Sequence, residues 1–213
     1  MSTGDRVEAF VRDQFGGATL QPPLFETPSL RFTLGGDFHR DTWYRLFGHV
    51  FDVPGPLSRR KPRVRQAVDR AATLYEQLFS RDDAGFFVAY VWPEMRPNVD
   101  ALLAVLPDAS AVERSSGSDY WDNDPDDEIS YLRLVAACSP RELDYRSLFL
   151  MLAHHDLGME PFIAGGALVF VVNETQPAIF WMYDDRGALV LAPSAHRLAP
   201  LAEAHGHWLV SPA

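Results

Sequence analysis

The chain has one cysteine, Cys138, and one lysine, Lys61. A single thiol cannot close a disulfide within the chain, and no CxxC or mixed Cys/His spacing is present, which argues against a disulfide scaffold and the common structural zinc sites. Cys138 lies in the apolar run LRLVAAC, so we expect it to pack as a small core residue. Long apolar runs are missing too. The first residues, MSTGDRVEAF, lack the apolar stretch of about 7 to 15 residues that a signal peptide requires, and no later run approaches the roughly 20 of a membrane span. A cytoplasmic protein without membrane attachment is the expectation. GxGxxG, GxxxxGKS/T and GxSxG are all absent, so nucleotide binding and the usual serine hydrolase elbow have no support, and no cofactor is expected.

What is present is a folding sequence: 47% of the 213 residues are hydrophobic, including 14 Phe and five Trp. That length buries a sizeable core, and we expect one domain over residues 1–213. The net charge of -10 is unevenly spread. Residues 1–80 carry 11 basic and 9 acidic side chains, whereas residues 81–213 carry 8 and 20, a net of -12. The acidic part repels phosphate backbones, so no nucleic acid is expected there, and a basic protein partner or plain solubility fits better.

Val7, Phe10, Val11 and Phe15 follow helical spacing up to the stop Gly16-Gly17. Ser29 to Leu34 alternates as a strand, and Phe38 to Phe51 fits a helix or a bent aromatic segment. Val64, Ala67, Val68, Ala71, Leu74, Tyr75, Leu78 and Phe79 mark one buried stripe of a long helix, with Pro62 expected in its first turn. FFVAYVW reads as a strand and Asn98 to Leu106 as a short helix. Ser115 to Glu128 reads as a polar, turn-rich loop leading into the strand ISYLRLVAAC. From Ser139 a helix is expected, with Pro140 at its first position and Glu142 as capping-box partner, running to Gly158. Ala167 to Asn173, Ala178 to Tyr183 and ALVLA are strands, and a last helix starts at Pro193-Ser194. Helices and strands mix first and consecutive strands follow, so the expected class is α+β, a mostly antiparallel sheet flanked by helices.

Tyr183-Asp184-Asp185-Arg186-Gly187 lies between the last two strands. A type I turn closed by a left-handed residue accounts for Asp184, which can accept a downstream N–H, and for Gly187 at positive φ. It does not demand Asp185 or Arg186. The plain reading is a solvated surface turn. The sharper one is a binding site made of Tyr183, Asp184, Asp185 and Arg186.

With this hairpin, the Leu30 to Gly35 strand, the Leu78 to Asp83 helix end and the terminal segment His207 to Val210, the chain resembles an uncharacterised bacterial family defined only as a domain of unknown function. Ala188-Leu189 departs from the Met/Leu-Asp expected there, so that extra aspartate has no counterpart. The resemblance implies a fold and a bacterial origin and no activity.

Other constellations are weaker. DNDPDDE, from Asp122, fails as a calcium loop, because position six is Asp127 instead of Gly and position twelve is Arg133 instead of Glu. It reads as a solvated acidic loop whose Asp122, Asp124, Asp126, Asp127 and Glu128 are candidates for contact with a basic partner. His154-His155-Asp156 and His205-Gly206-His207 lack the i, i+4 spacing of a helical zinc site, and no metal site is expected. RRKPRVRQAVDR, from Arg59, reads as a solvated helix face or a contact for phosphate or an acidic partner. These features favour a macromolecule-binding protein of immunity or antitoxin type. The rival is a small hydrolase or metal-dependent enzyme using Asp184, Asp185 and one of His154, His155 or His207. Nothing in the residues specifies an oligomeric state.

Overall fold

The computed structural model describes residues 1–20, 27–35, 57–92, 97–120, 128–154, 159–161, 163 and 167–210. The segment Phe38 to Phe51 lies outside them, as do Asp122, Asp124, Asp126, Asp127, His155 and Asp156. The elements in chain order are α1 (Thr3–Gln14), β1 (Ser29–Thr33), α2 (Leu57–Leu78), β2 (Gly85–Val91), α3 (Pro97–Ala104), β3 (Glu113–Tyr120), β4 (Glu128–Cys138), α4 (Tyr145–His154), β5 (Leu168–Asn173), β6 (Ala178–Asp184), β7 (Gly187–Leu191) and α5 (Ala195–His205). Among the described residues the seven strands form one sheet in the order β1-β7-β6-β5-β2-β4-β3, and every pairing is antiparallel. The class is α+β, as expected. No helix among the described residues is long and apolar enough to cross a membrane.

The sheet is covered on both faces, and the strand sequences reflect this. All seven residues of β2 are buried. Phe87, Ala89 and Val91 join a core with residues of α2, α3, α4 and α5, while Phe86, Val88 and Tyr90 face Val7 and Val11 of α1. A strand buried on both faces reads as a continuous apolar run, which is why FFVAYV was legible. α1 starts with a capping box, in which the Asp5 amide donates to Ser2 Oγ (3.0 Å) and the Ser2 amide to Asp5 Oδ2 (3.1 Å). The chain leaves it through Gly16 and Gly17, both at positive φ.

On the opposite face the stripe of α2 buries Val64, Ala67, Ala71, Leu74, Tyr75 and the following Phe79, with Val68 and Leu78 partly buried. Tyr75 is the centre of an aromatic cluster: its ring centroid lies 4.3 Å from Phe79, 4.7 Å from Tyr145, 5.4 Å from Phe149 and 5.6 Å from Phe180. Its hydroxyl donates to the Pro140 carbonyl at 2.6 Å, so the buried phenol is satisfied.

Three expectations change. α2 begins at Leu57, which places Pro62 inside the helix and not in its first turn. Ser139 to Glu142 does not open the next helix: Pro140–Glu142 is a separate 3-10 turn whose Ser139 makes no capping bond, and α4 is capped instead by Asp144, which accepts from the Ser147 amide at 3.2 Å. Ser139 Oγ is already donating to the Arg81 carbonyl. The polar stretch read as a loop is largely β3, an edge strand whose Arg114, Ser115, Ser116 and Ser118 are exposed. Among the described residues it has β4 as its one neighbour, and polar and charged side chains suit such an edge.

Candidate functional site

The Tyr-Asp-Asp-Arg-Gly stretch forms the β6–β7 hairpin. Met182 pairs with Ala188 and Asp184 with Gly187, so Tyr183 is an extra residue in β6, a β-bulge, and Asp185-Arg186 makes the connection. Gly187 is not at positive φ, contrary to expectation; among the described glycines, that backbone belongs to Gly16 and Gly17. It is required for space. The Tyr183 phenol folds over its Cα, and a β-carbon there would collide with that phenol and sit 2.7 Å from the Phe32 carbonyl oxygen. Arg31 of β1 holds the phenol in place: its Nε donates to the Tyr183 hydroxyl at 3.1 Å, and its guanidinium lies 5.5 Å from the ring centroid.

The two carboxylates are buried, which overturns the solvated-turn reading. Asp184 is 3% exposed and Asp185 1%. Asp184 does accept the downstream N–H: the Arg186 amide donates to its Oδ1 at 2.6 Å, Arg186 Nε to its Oδ2 at 2.7 Å, and Arg186 Nη2 to the same oxygen. Asp185 forms an ion pair with Arg63 of α2. Burial pushes the Asp185 carboxyl up to about 6, with Arg63 pulling the other way and the neighbouring Asp184 charge adding to the rise.

The tip is buried because it is wedged between the end of β1 and α2. The Leu34 amide donates to the Arg186 carbonyl at 3.0 Å. Gly35 lies so close that a β-carbon on it would be 2.7 Å from the Asp185 carbonyl oxygen and 3.0 Å from Arg63 Cγ. Arg63 was visible in the sequence as part of a basic stretch. Nothing local tied it to Asp185, and the topology alone brings the two together. Farther along α2, Arg70 donates to the Thr33 carbonyl at 3.2 Å and lies 5.0 Å from the Trp208 ring. Between this helix face and Trp208 runs a groove of about 420 Å³.

The other candidates among the described residues do not converge on this site. His154 Nδ1 is 2.8 Å from the Pro161 carbonyl, and His207 packs on Trp208. Burial holds His205 below its ordinary value, with His207 adding repulsion. Among the described residues no group of three or more His, Cys, Asp or Glu is placed to hold a metal ion. Cys138 is partly buried against the core, and burial pushes its thiol up to about 11, which leaves it a poor nucleophile. Glu128 begins β4.

Sequence reasoning missed one polar junction. Asn173, fully buried at the end of β5, donates to the Leu78 carbonyl at 3.0 Å and to Asp83 Oδ2 at 2.8 Å, and accepts from the Gln176 amide at 2.8 Å. It ties the C-terminal end of α2 to the sheet. A lone Asn at a strand end was the available signal. Leu30 to Gly35, Leu78 to Asp83 and Tyr183 to Gly187 thus each end in a buried polar contact that joins α2 or β1 to the last strands.

A seven-stranded antiparallel sheet with helices on both faces, closed near one edge by paired carboxylates and guanidiniums, defines this molecule as an α+β protein whose most distinctive motif is internal. The chain belongs to the family described as Domain of unknown function (DUF3885), whose model matches residues 7–212. It is 36% identical over 87 residues to the uncharacterized protein YnaE of Bacillus subtilis (strain 168), an alignment that covers 39% of this chain and 41% of that one. The chain therefore matches less than half the length of that relative. No solved structure matches it.

Proposed function

We propose that the protein acts in the cytoplasm as one unit, residues 1–213, by binding another macromolecule: an immunity- or antitoxin-like module whose acidic part receives a basic protein partner. The observation that supports this reading most is the engagement of Asp184 and Asp185 by Arg186 and Arg63. The constellation that looked most reactive is occupied in holding the fold. What remains for an outside molecule to read is the net -12 of residues 81–213. Charge of one sign steers an oppositely charged partner from a distance. The rim of the hairpin, half-buried Tyr183 and half-exposed Arg186, adds to the contact surface.

The test replaces Asp122, Asp124, Asp126, Asp127 and Glu128 with Asn and Gln. Association with a partner captured from a bacterial lysate should slow, and its salt dependence should flatten, while stability is kept. Equal association rates at low and at high salt would remove the reading.

An enzyme that uses Asp184, Asp185 and a nearby histidine is the second reading, favoured by the raised Asp185 carboxyl, since carboxyls that titrate near neutrality serve as general acids. It requires Arg63 and Arg186 to give up their partners on substrate binding. Hydrolysis by the wild-type protein that Asp185→Asn abolishes, with the fold intact, would favour it.

A further inference from the structure

Two adjacent carboxylates at the hairpin tip are held unequally. Asp184 takes three N–H donors, all from Arg186. Asp185 is tied across to α2 by its ion pair with Arg63, whose side chain is 26% exposed and so has a solvated alternative close by. Arg63 follows Pro62, which lies inside α2 and has no N–H to complete the helical ladder. This turn of the helix therefore lacks one internal bond, and a tertiary contact there has more influence on its position. The same turn forms a wall of the groove, where Pro62, Arg65, Gln66 and Asp69 face Trp208.

We propose that Asp185 and Arg63 form a proton-operated latch between the β6–β7 tip and the start of α2, and that the latch sets the shape of the groove beside Trp208. Ionised Asp185 holds Arg63 down; protonated Asp185 lets it go. Among the described residues, the charged groups facing Asp185 are Arg63 from α2 and Asp184 and Arg186 from its own hairpin. The chain just after β1 contributes Gly35 and the Leu34 amide, which do not titrate, and Arg31 of β1 is engaged with Tyr183. Burial raises the carboxyl to about 6, which puts the transition in the mildly acid range. A neutral carboxyl costs far less to keep buried than a carboxylate, so the hairpin remains seated and the α2 side of the contact moves. This device is independent of which partner the acidic part binds.

The test uses the whole chain and two readouts across pH 4.5 to 8: carboxyl carbon NMR for Asp185, and amide hydrogen exchange over residues 63–70 corrected for the intrinsic effect of pH. The Asp185 carboxyl should titrate near 6, and protection of these amides should fall by about tenfold as the pH drops through that point. Asp185→Asn should show the low protection at every pH. A wild-type midpoint near 4, the ordinary value, or protection independent of pH, or a step that survives in Asp185→Asn, would each overturn the latch. If Asp185→Asn does not fold, the titration and exchange of the native chain decide the matter alone.

Discussion

The phenol of Tyr183 occupies the space in which residue 187 would carry a β-carbon. Gly187→Ala should therefore destabilise the protein by ~1–3 kcal/mol through overpacking, although the backbone there is not left-handed. Tyr183→Ala in the same chain should recover part of that loss, with the Phe32 carbonyl accounting for the rest. Urea denaturation of the four proteins of this cycle checks the coupling, and strictly additive losses would contradict it.

The burial of Asp185 gives stability a definite pH dependence, which its ion pair with Arg63 moderates. Its carboxyl is raised in the folded protein to about 6 from the ordinary 3.8, so the folded state holds the extra proton between those values. The contribution of this group is therefore full below about 4 and is lost as the pH rises through about 6. Arg63→Gln leaves the ionised carboxylate buried alone, which should cost ~3 kcal/mol at pH 8 and distinctly less at pH 5, where Asp185 is largely neutral. Denaturation midpoints at the two pH values provide the measurement, and equal losses would count against the pair.

Asn173→Ala should cost ~2–3 kcal/mol, because it strips donors from the Leu78 carbonyl and Asp83 and leaves the Gln176 amide without its acceptor. Asn173→Asp should be worse, since it sets a second carboxylate against Asp83. Thermal unfolding followed by circular dichroism would show the order, and a more stable Asp variant would refute it.

Leu74 is fully buried in the α2 stripe, whereas Leu78 is partly buried at its end. Leu74→Ala should destabilise by ~2–5 kcal/mol and Leu78→Ala by less than half as much. A calorimetric comparison of the two variants is sufficient, and the reverse order would mean that the helix packs in another register.

The elements that could be read from sequence are those whose burial imposes a period. α2 shows its stripe, β2 its continuous apolar run and β1 its alternation around Phe32, because each must present apolar atoms to a defined face. β3 was hidden for the opposite reason: an edge strand of exposed serines has no face to declare. At the hairpin, the Asp184–Arg186 contact spans two positions and was within reach of turn chemistry. The Asp185–Arg63 pair joins an early helix to a late turn, and only the strand order creates it. The capping error at Ser139 shows a further limit: the right letters were present, but Ser139 was committed to the Arg81 carbonyl, and Asp144 served the helix instead.

Three seams of the sheet pair strands that are not consecutive in the chain: β2 with β4, β2 with β5, and β1 with β7, where Thr33 meets Gly187. The stretches from β3 to β4 and from β5 to β7 are local hairpins that can zip up as they emerge from a ribosome. β1 cannot. It is the first of the described strands and has no ladder to join until β7, the last of them, has been made, so during translation this edge stays open while all the strands between them are built.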